Sequence, residues 1–486
     1  MADLRVLVKD TAIYGLSSII GRFLNYLLVP IYTFKMAAAS GGYGVITHMY
    51  AITALLLVLL TFGMETTFFR FANKQGENAD RVFSTTMIAV GSLSLLFVAL
   101  VFAFIDPISQ FLTYQDHPQY VWVMALTVAI DAFRAIPFVY LRKEKKAFKF
   151  AGLQLLNIAI NITLNLIYYV GMDGTDPGYA FYINLVCSTI VTLCLWREIA
   201  HIRHGFDRAL FRRMLTYSWP IIILGIAGIL NQVADKMLFP FIYKGADTQM
   251  QLGIYGACAK IAMIMAMITQ AFRYAYEPFV FGKTGDKDND LMQASAMKYF
   301  IIFTLLAFLA VVGYIDIVKH IIGRDYWEGL RVVPIIMAAE IMMGIYFNLS
   351  FWYKLDDKTY WGAIFSGLGC TVLILINVFF VPKYGYIACA WAGFAGYLTA
   401  MLCSYIVGQR CHPINYPMKD IALYVGLALM LSLLMHTATT KLPLWLSLLI
   451  NTVLLCTYLG VMIKKDFPLS GLPLIGKYFA KHNTEQ

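Results

Sequence analysis

The chain has 486 residues, of which 60% are hydrophobic and 14% are charged, and its formal net charge is +10. Soluble globular proteins carry about a quarter charged residues, so this composition excludes a soluble globular protein. Segments of about 20 mainly apolar residues recur from end to end, and each is long enough to cross a ~30 Å hydrocarbon core as a helix. Because lipid cannot satisfy unpaired backbone groups, an all-α polytopic membrane protein is predicted.

About fourteen transmembrane helices are predicted along the chain. They lie at residues 10–34, 43–69, 83–105, 119–141, 152–171, 178–199, 215–243, 251–281, 294–314, 331–353, 360–381, 386–408, 419–437 and 442–463. The first segment has no small-residue cleavage site after a short apolar core, so it is interpreted as an uncleaved span.

The basic residues are distributed unevenly between the two sides of these spans. With the N-terminus inside, 26 of the 38 Lys and Arg residues fall on the cytoplasmic side, seven fall outside and five lie within the membrane. This asymmetry follows the positive-inside rule and places both termini in the cytoplasm. Most of the net charge is therefore a topology signal, and no nucleic-acid partner is expected. One outer loop is discordant, because it carries Lys319, Arg324 and Arg331.

Neither cofactor chemistry nor catalysis is expected from the sequence. The eight cysteines form no close CxxC pair, so no disulfide framework or metal site is expected. The chain contains no Gly-x4-Gly-Lys-Ser/Thr loop, so no ATP-driven mechanism is expected, and an ion gradient or the membrane potential is a candidate energy source. No catalytic residues are assigned, because a membrane-embedded polymerase, ligase or glycosyltransferase needs a larger external loop than residues 315–330.

An internal repeat relates the two halves of the chain at an offset of about 212 residues. Tyr43 matches Tyr255, and a glutamate follows each tyrosine by 22 residues, namely Glu65 and Glu277. Twenty-two helical residues extend over ~33 Å, about one membrane thickness. Each repeat holds six spans, an even number, so two parallel lobes related by a pseudo-twofold axis along the membrane normal are predicted.

The repeat also predicts the domain boundaries. The N-terminal six-helix lobe is placed at residues 1–200, a cytoplasmic linker at 201–214, the C-terminal six-helix lobe at 215–410, and two extra helices with a cytoplasmic tail at 411–486.

Four segments carry a resemblance to a known family: RFLNYLLVPIYTF (22–34), GMETTFFRF (63–71), ADKMLFP (234–240) and FRYAYEPF (272–279). With twelve duplicated spans plus two, the chain resembles the polysaccharide transporter branch of the MOP flippase superfamily, the Wzx-type O-antigen and capsule flippases. The resemblance implies a V-shaped pair of lobes in the bacterial inner membrane that moves polyprenyl-diphosphate-linked oligosaccharides by alternating access.

The same resemblance implies the partners, and it leaves other cargoes open. The expected partners are the lipid-linked oligosaccharide of lipopolysaccharide or capsule synthesis and membrane lipids, with polysaccharide polymerases and glycosyltransferases as further candidates and a monomer as the expected state. The alternatives are a lipid II flippase and a cation-coupled multidrug exporter of the MATE type. That exporter family typically uses an acid deep in the first span, whereas this span carries Arg22 and no acid after Asp10.

Charges inside the predicted spans are the candidate functional residues, because each costs about 2.5–3.5 kcal/mol near the bilayer centre. Arg22 and Lys260 have no acidic residue within four positions, and they are predicted to bind the diphosphate of the cargo. The alternative is a cross-helix salt bridge, for instance from Lys260 to Glu340 or Asp235. His48 is a candidate for proton coupling, and its alternative role is that of a hydrogen-bonded packing residue.

Other embedded charges are expected to form ion pairs, either along one helix or with residues elsewhere in the fold. Asp131 and Arg134 are spaced i,i+3, which suits an ion pair on one helix. Asp235 and Lys236 are adjacent and are expected to point in different directions, so that each needs a partner elsewhere. Five basic and five acidic residues are embedded in all, so their numbers alone do not predict a strongly cationic lumen.

Two matched glutamates mark the cytoplasmic mouth of the predicted lobes. Glu65 lies near the cytoplasmic end of the second span, and Glu277 lies near the end of the eighth span, four residues after Arg273. We expect a gate or a latch between the lobes at this level, in which Arg70 and Arg273 are the partners of the two carboxylates.

Overall fold

The computed structural model of the protein describes residues 26–281, 287–355 and 358–466. At helical residues 274, 275, 277–281 and 287–289 it describes the backbone alone. This described part of the chain is helical, with short connections and no β-strand.

The first six predicted spans correspond to helices α1 to α6, although only the end of the first span is described. These helices are α1 (Leu28–Lys35), α2 (Gly42–Thr61), α3 (Ala79–Ala103), α4 (Pro118–Lys143), α5 (Ala147–Asn165) and α6 (Gly178–Cys194). After a break, α2 is followed by a short helix at Met64–Ala72, and α5 continues as a π-helical turn at Leu166–Gly171.

The remaining eight predicted spans correspond to helices α7 to α14. These helices are α7 (Arg208–Ile242), α8 (Thr248–Phe281), α9 (Lys287–Gly313), α10 (Val333–Leu349), α11 (Tyr360–Tyr384), α12 (Tyr386–Cys411), α13 (Met418–Lys441) and α14 (Leu444–Lys465). A 3-10 segment, Arg324–Val332, precedes α10.

The predicted class of fold is confirmed. Within the described ranges, twelve helices are long and apolar enough to cross a membrane. The two other predicted spans correspond to α6, which has 17 residues, and to α1, of which eight residues are described. The chain is therefore an all-α, multi-pass membrane protein.

Two compact units are formed by segments that alternate along the chain. The first unit comprises Met1–Lys260, Ile322–Gly329 and Tyr360–Ala400, and the second comprises Ile261–Ile321, Leu330–Thr359 and Met401–Gln486. The lobe boundaries inferred from the repeat stay a prediction.

In the first unit, a break separates α2 from the short helix Met64–Ala72. Phe62 and Gly63 both have a positive φ, 33° and 71°, and the Ser218 hydroxyl of α7 donates a hydrogen bond to the Phe62 carbonyl. A Cβ atom at Gly63 would lie 2.8 Å from the Ser218 oxygen, so glycine permits this close approach. The GMETTFFRF motif thus begins at a break between two helices.

The short helix buries one face and exposes the other. Met64 and Phe68 are fully buried, and Phe68 packs against Phe83 of α3. Phe83 also meets Tyr140 of α4, with 4.7 Å between the ring centres. This apolar cluster fixes the exposed face of the short helix, which carries Glu65 and Arg70.

The outer ends of α2 and α8 approach closely through glycine, where "outer" denotes the ends that the charge asymmetry places outside the cytoplasm. A Cβ atom at Gly44 would lie 1.9 Å from the Gln249 carbonyl oxygen, and one at Gly253 would lie 3.0 Å from the Gly44 nitrogen. At Gly256, the repeat counterpart of Gly44, a Cβ atom would lie 2.4 Å from the Thr47 hydroxyl oxygen, which belongs to a side chain. The two helices therefore pack backbone against backbone.

In the second unit, α9 is joined to the two last helices. Lys298 of α9 forms salt bridges to Asp420 of α13, at 2.9 Å, and to Asp466, which follows α14. The Asn451 amide donates to the Gly313 carbonyl at 2.7 Å. These bonds attach α13 and α14 to α9.

Candidate functional site

Asp235 is the centre of a charge cluster between α7 and α8. Its buried carboxylate accepts a bond from the Lys236 ammonium group at 3.1 Å and another from the Tyr255 hydroxyl at 2.5 Å. The ammonium group also lies 5.2 Å from the centre of the Tyr255 ring. A buried carboxylate requires both an opposite charge and hydrogen-bond donors, and this cluster supplies both.

The expectation that Asp235 and Lys236 need separate partners is wrong. Adjacent helical residues diverge by about 100° around the axis, but the long lysine stem brings the ammonium group back to the carboxylate. The Lys236 backbone N–H also donates to this carboxylate, at 2.8 Å. The pair is therefore satisfied within α7, with help from Tyr255.

Lys260 lies half-buried on α8, at the end of the first segment of the first unit. The charged group that acts on it is Lys236, which has the same sign. Among the described residues, no salt bridge joins Lys260 to a carboxylate, and Asp235 is bonded to Lys236 and Tyr255 instead. Glu340, the other suggested partner, is half-buried on α10. Lys260 thus has a second ammonium group, that of Lys236, as its charged neighbour, and Asp235 is bonded to Lys236.

Arg22, the second residue expected to bind the diphosphate, lies outside the described residues. Binding of the diphosphate by Arg22 together with Lys260 therefore stays a prediction.

His48 is fully buried, and both of its ring nitrogens have partners. Nδ1 lies 2.7 Å from the Tyr114 hydroxyl, and Nε2 lies 3.2 Å from the Met237 carbonyl oxygen. Because a carbonyl can only accept, Nε2 carries the proton and Nδ1 accepts from Tyr114. This geometry favours a hydrogen-bonded packing residue, and a role of His48 in proton coupling stays a prediction.

The structure contains the expected ion pair of α4. The Arg134 guanidinium lies 2.8 Å from the Asp131 carboxylate, with the i,i+3 spacing of the sequence. Ser188 of α6 donates to the same carboxylate at 2.7 Å, and Arg134 donates to Asn157 of α5 at 3.3 Å. The pair therefore connects three helices, which is a structural role.

At the predicted cytoplasmic mouth, Arg70 is not the ion-pair partner of Glu65. Residues five positions apart on a helix diverge by about 140° around its axis, so the two side chains point away from each other. The Arg70 guanidinium lies 4.1 Å from the centre of the Tyr217 ring, and the charged neighbour of Glu65 is Arg142 of α4. The expected pairing is corrected accordingly, and a gate at this level stays a prediction.

The matching position in α8 is described in part. The Glu277 side chain lies outside the described side chains, so its pairing with Arg273 stays a prediction. The Arg273 guanidinium lies 5.2 Å from the centre of the Phe347 ring. With Thr269 and Tyr276 it lines a cavity of about 10 Å³ in the second unit, roughly the space of one water molecule.

Sequence reasoning missed Tyr255 as a member of the charge cluster. The repeat identifies this tyrosine as the counterpart of Tyr43, but a repeat match gives no chemical role. The 20-residue separation between Asp235 and Tyr255 is bridged by the turn from α7 into α8, which only the fold determines.

The fold and the sequence can be compared with known proteins. A family model described as polysaccharide biosynthesis protein matches residues 39–330. No curated protein matches the sequence. The solved structure of the lipid II flippase MurJ in an inward closed conformation is similar, with a TM-score of 0.73 and 15% identity over 93% of this chain and 98% of that chain.

Two transporter structures of the MATE family are also similar. An inward-facing multidrug resistance transporter of the MOP superfamily gives a TM-score of 0.61 at 14% identity, over 86% of this chain and 96% of that chain. The multidrug transporter DinF-BH gives a TM-score of 0.62 at 16% identity, over 84% of this chain and 96% of that chain. At these identities, the similarity establishes the fold.

Long apolar helices in this arrangement define a multi-pass membrane protein with the fold of the MOP superfamily. The family match covers more than half of the sequence, and the chain belongs to the polysaccharide biosynthesis protein family. The resemblance to the polysaccharide transporter branch of the superfamily is thereby confirmed.

Proposed function

We propose that this protein is a flippase that moves a polyprenyl-diphosphate-linked oligosaccharide across the bacterial inner membrane by alternating access. The family supports a role in polysaccharide synthesis, and the fold shared with a lipid II flippase supports a lipid-linked cargo. A monomer with both termini in the cytoplasm is part of this proposal.

The observation that carries the proposal is the pair of ammonium groups on α7 and α8. Lys236 and Lys260 are like-charged neighbours in apolar spans, and Asp235, which is bonded to Lys236, offsets one of the two positive charges. An anionic diphosphate would offset the remaining positive charge and relieve the repulsion between the lysines. Lysine ammonium groups bind phosphate oxygens as compact point charges. Arg22, from the first span, is proposed to supply a third cation.

The test uses Lys260, because its removal leaves no buried carboxylate without a partner. Lys260→Met deletes a charge that has a like-charged neighbour, and no ion pair among the described side chains is lost with it. In cells that lack the native gene, we expect Lys260→Met to cause accumulation of the lipid-linked oligosaccharide on the cytoplasmic face. Lys260→Arg keeps the charge and is expected to retain transport.

The control is Lys383→Met, which removes an exposed lysine at the end of α11. It is expected to transport as the wild type does. Normal export by Lys260→Met, at a normal amount of protein, would contradict the proposed site. Drug sensitivity of the deletion strain without loss of polysaccharide would instead indicate a MATE-type exporter, and accumulated lipid II would indicate lipid II as the cargo.

A further inference from the structure

A short segment between α9 and α10 docks onto the first compact unit. Residues 322–329 belong to this unit, although the chain on both sides of them belongs to the second unit. Most of these residues form the 3-10 segment Arg324–Val332, which lies in the outer loop with the discordant positive charges. We call residues 322–329 the outer clasp.

Tyr326 anchors the clasp against the ends of α1 and α2. Its side chain is fully buried, and its hydroxyl donates to the carbonyl of Met36, which follows α1, at 2.8 Å. Its ring meets the ring of Tyr43, at the start of α2, edge to face with 6.0 Å between the centres. One tyrosine of the clasp thus contacts both helix ends.

Gly323 makes a second bond to α1. Its backbone N–H donates to the Thr33 hydroxyl at 3.1 Å. A Cβ atom at Gly323 would lie 2.1 Å from the Thr33 carbonyl oxygen, so the contact requires glycine. The clasp therefore lies directly on the backbone of α1.

Gly329 and Tyr326 complete the contact on α8. A Cβ atom at Gly329 would lie 2.8 Å from the Cys258 sulfur and 2.5 Å from a methyl carbon of Ile254. The Cys258 thiol, which is fully buried, lies 3.5 Å from the Tyr326 carbonyl oxygen as a weak donor. The clasp thus covers Cys258.

The other face of the clasp is suited to water. Arg324, Asp325 and Glu328 are exposed, while Ile322, Tyr326 and Gly329 are buried. Short 3-10 segments have weak internal hydrogen bonds, so the docked conformation depends on contacts with the first unit, among them the bond that the Tyr386 hydroxyl donates to the Glu328 carboxylate at 3.4 Å. Release of the segment would expose the buried side chains of Ile322 and Tyr326, and burial of these groups favours the docked conformation.

We propose that the outer clasp holds the outer ends of α1, α2 and α8 together and must release them before the transport path opens to the outside. The proposal rests on the proposed transport function. It assigns a role to part of the discordant loop, in which Arg324 and Asp325 are exposed while Ile322 and Tyr326 are buried at the outer end of the first unit.

The first test measures release of the clasp without any cargo. In a variant that keeps Cys258 as its single cysteine, the labelling rate by a membrane-impermeant maleimide added outside reports how often Cys258 is uncovered. Thr33→Val removes the acceptor of the Gly323 bond and does not touch Cys258. We expect it to raise the labelling rate roughly fivefold, the change expected for the loss of one hydrogen bond.

The matched control is Thr53→Val. The Thr53 hydroxyl donates to the carbonyl four residues earlier, at Met49, as the Thr33 hydroxyl does at Val29. Thr53 makes no bond to the clasp, so its variant is expected to label as the parent does. An unchanged labelling rate in Thr33→Val would overturn the proposal.

The second test locks the clasp through a native thiol. Gly329→Cys places a second sulfur beside Cys258, within reach of a disulfide, and the nearby Ile254 methyl group can move aside. Diamide takes up the two electrons and two protons that the thiols lose. We expect the oxidised protein to lose transport and the reductant TCEP to restore it, whereas Gly329→Cys with Cys258→Ser is unaffected by oxidation.

Undiminished transport by the fully oxidised Gly329→Cys protein would overturn the proposal that the outer clasp must release during transport. Failure of the proposed function is a separate result, because wild-type and reduced proteins would then transport no lipid-linked oligosaccharide. Under that result, the labelling of Cys258 would still respond to Thr33→Val, since this readout requires no cargo.

Discussion

Tyr255 donates a hydrogen bond to Asp235, and this bond connects the tyrosine of the second repeat to the buried carboxylate of α7. The bond fixes the position of the carboxylate, which in turn holds the Lys236 ammonium group at 3.1 Å. Tyr255 is therefore a positioning residue for one of the two lysines proposed to bind the diphosphate.

Replacing this tyrosine tests the bond directly. Tyr255→Phe keeps the ring and removes the donor, and a hydrogen bond to a charged group contributes about 1.5–3 kcal/mol. We expect the free energy of unfolding in detergent to fall by this amount. The control is Tyr314→Phe, whose hydroxyl bonds Thr452 at an exposed site, and its effect is expected to be smaller. Equal losses of unfolding free energy in the two variants would show that the bond to Asp235 contributes no more to stability than the exposed bond does.

The close contact of α2 with α8 predicts that even a methyl side chain at residue 44 destabilises the protein. Gly44→Ala would place a methyl group 1.9 Å from the Gln249 carbonyl oxygen, so the helices must separate. Overpacking of this kind costs about 1–3 kcal/mol. Gly228→Ala, in α7, meets no atom within 4 Å and is expected to be neutral or stabilising. Thermal unfolding of both variants measures the difference, and a neutral Gly44→Ala would refute the close contact.

The attachment of α13 and α14 to α9 depends on Lys298. Lys298→Met leaves the buried Asp466 carboxylate without its cation, and breaking a buried pair costs about 3–5 kcal/mol. Lys465 also pairs with Asp420, but its side chain is 39% exposed, so Lys465→Met is expected to cost at most about 1 kcal/mol. The measurement is the free energy of unfolding of Lys298→Met and of Lys465→Met in detergent. The second change Asp466→Asn is expected to rescue Lys298→Met, and its failure to do so would contradict the charge argument.

The pair of Lys35 and Asp173, at the outer ends of α1 and α5, predicts a pH dependence. The hydrogen bond from Lys35, at 2.5 Å, holds the pKa of Asp173 below its usual value of 3.8. Because the pKa is lowered in the folded state, the pair stabilises the protein above pH 3.8, and this contribution is lost as the pH falls through the lowered value.

The measurement is the difference in melting temperature between wild type and Asp173→Asn. A small difference is expected at pH 6, because Asp173 is exposed, and it should vanish in strong acid. High salt at pH 6 is expected to reduce it as well. A difference that grows on acidification would refute the pairing.

The spans and the Asp131–Arg134 pair could be predicted from the sequence, because both follow from local properties. Apolar length identifies a membrane helix, and the helical period brings residues three apart to one face. The pairing of Asp235 with Lys236 could not be predicted in this way. The helical period gives the direction in which each side chain leaves the helix, but it does not describe how far a flexible lysine side chain can reach. At Glu65 and Arg70 the error is the opposite one, because the helical period itself separates residues five positions apart by about 140° and so argues against the expected pair.

Features that depend on distant residues could not be predicted. The break at Phe62 and Gly63 is supported by Ser218, which is 156 positions away in the sequence. The docking of Tyr326 on Met36 joins residues 290 positions apart. In the sequence, these segments show a helix end and a charged loop, and their partners are determined by the tertiary fold.

The contact of α2 with α8 limits how the sequence can vary. A side chain at Gly44 would meet the Gln249 carbonyl, and one at Gly253 would meet the Gly44 nitrogen, so no change in a neighbouring side chain can make room. At Gly256 the atoms in the way belong to the Thr47 side chain, which a smaller residue would shorten. We therefore expect Gly256 to vary together with Thr47, and Gly44 to stay glycine whatever changes beside it.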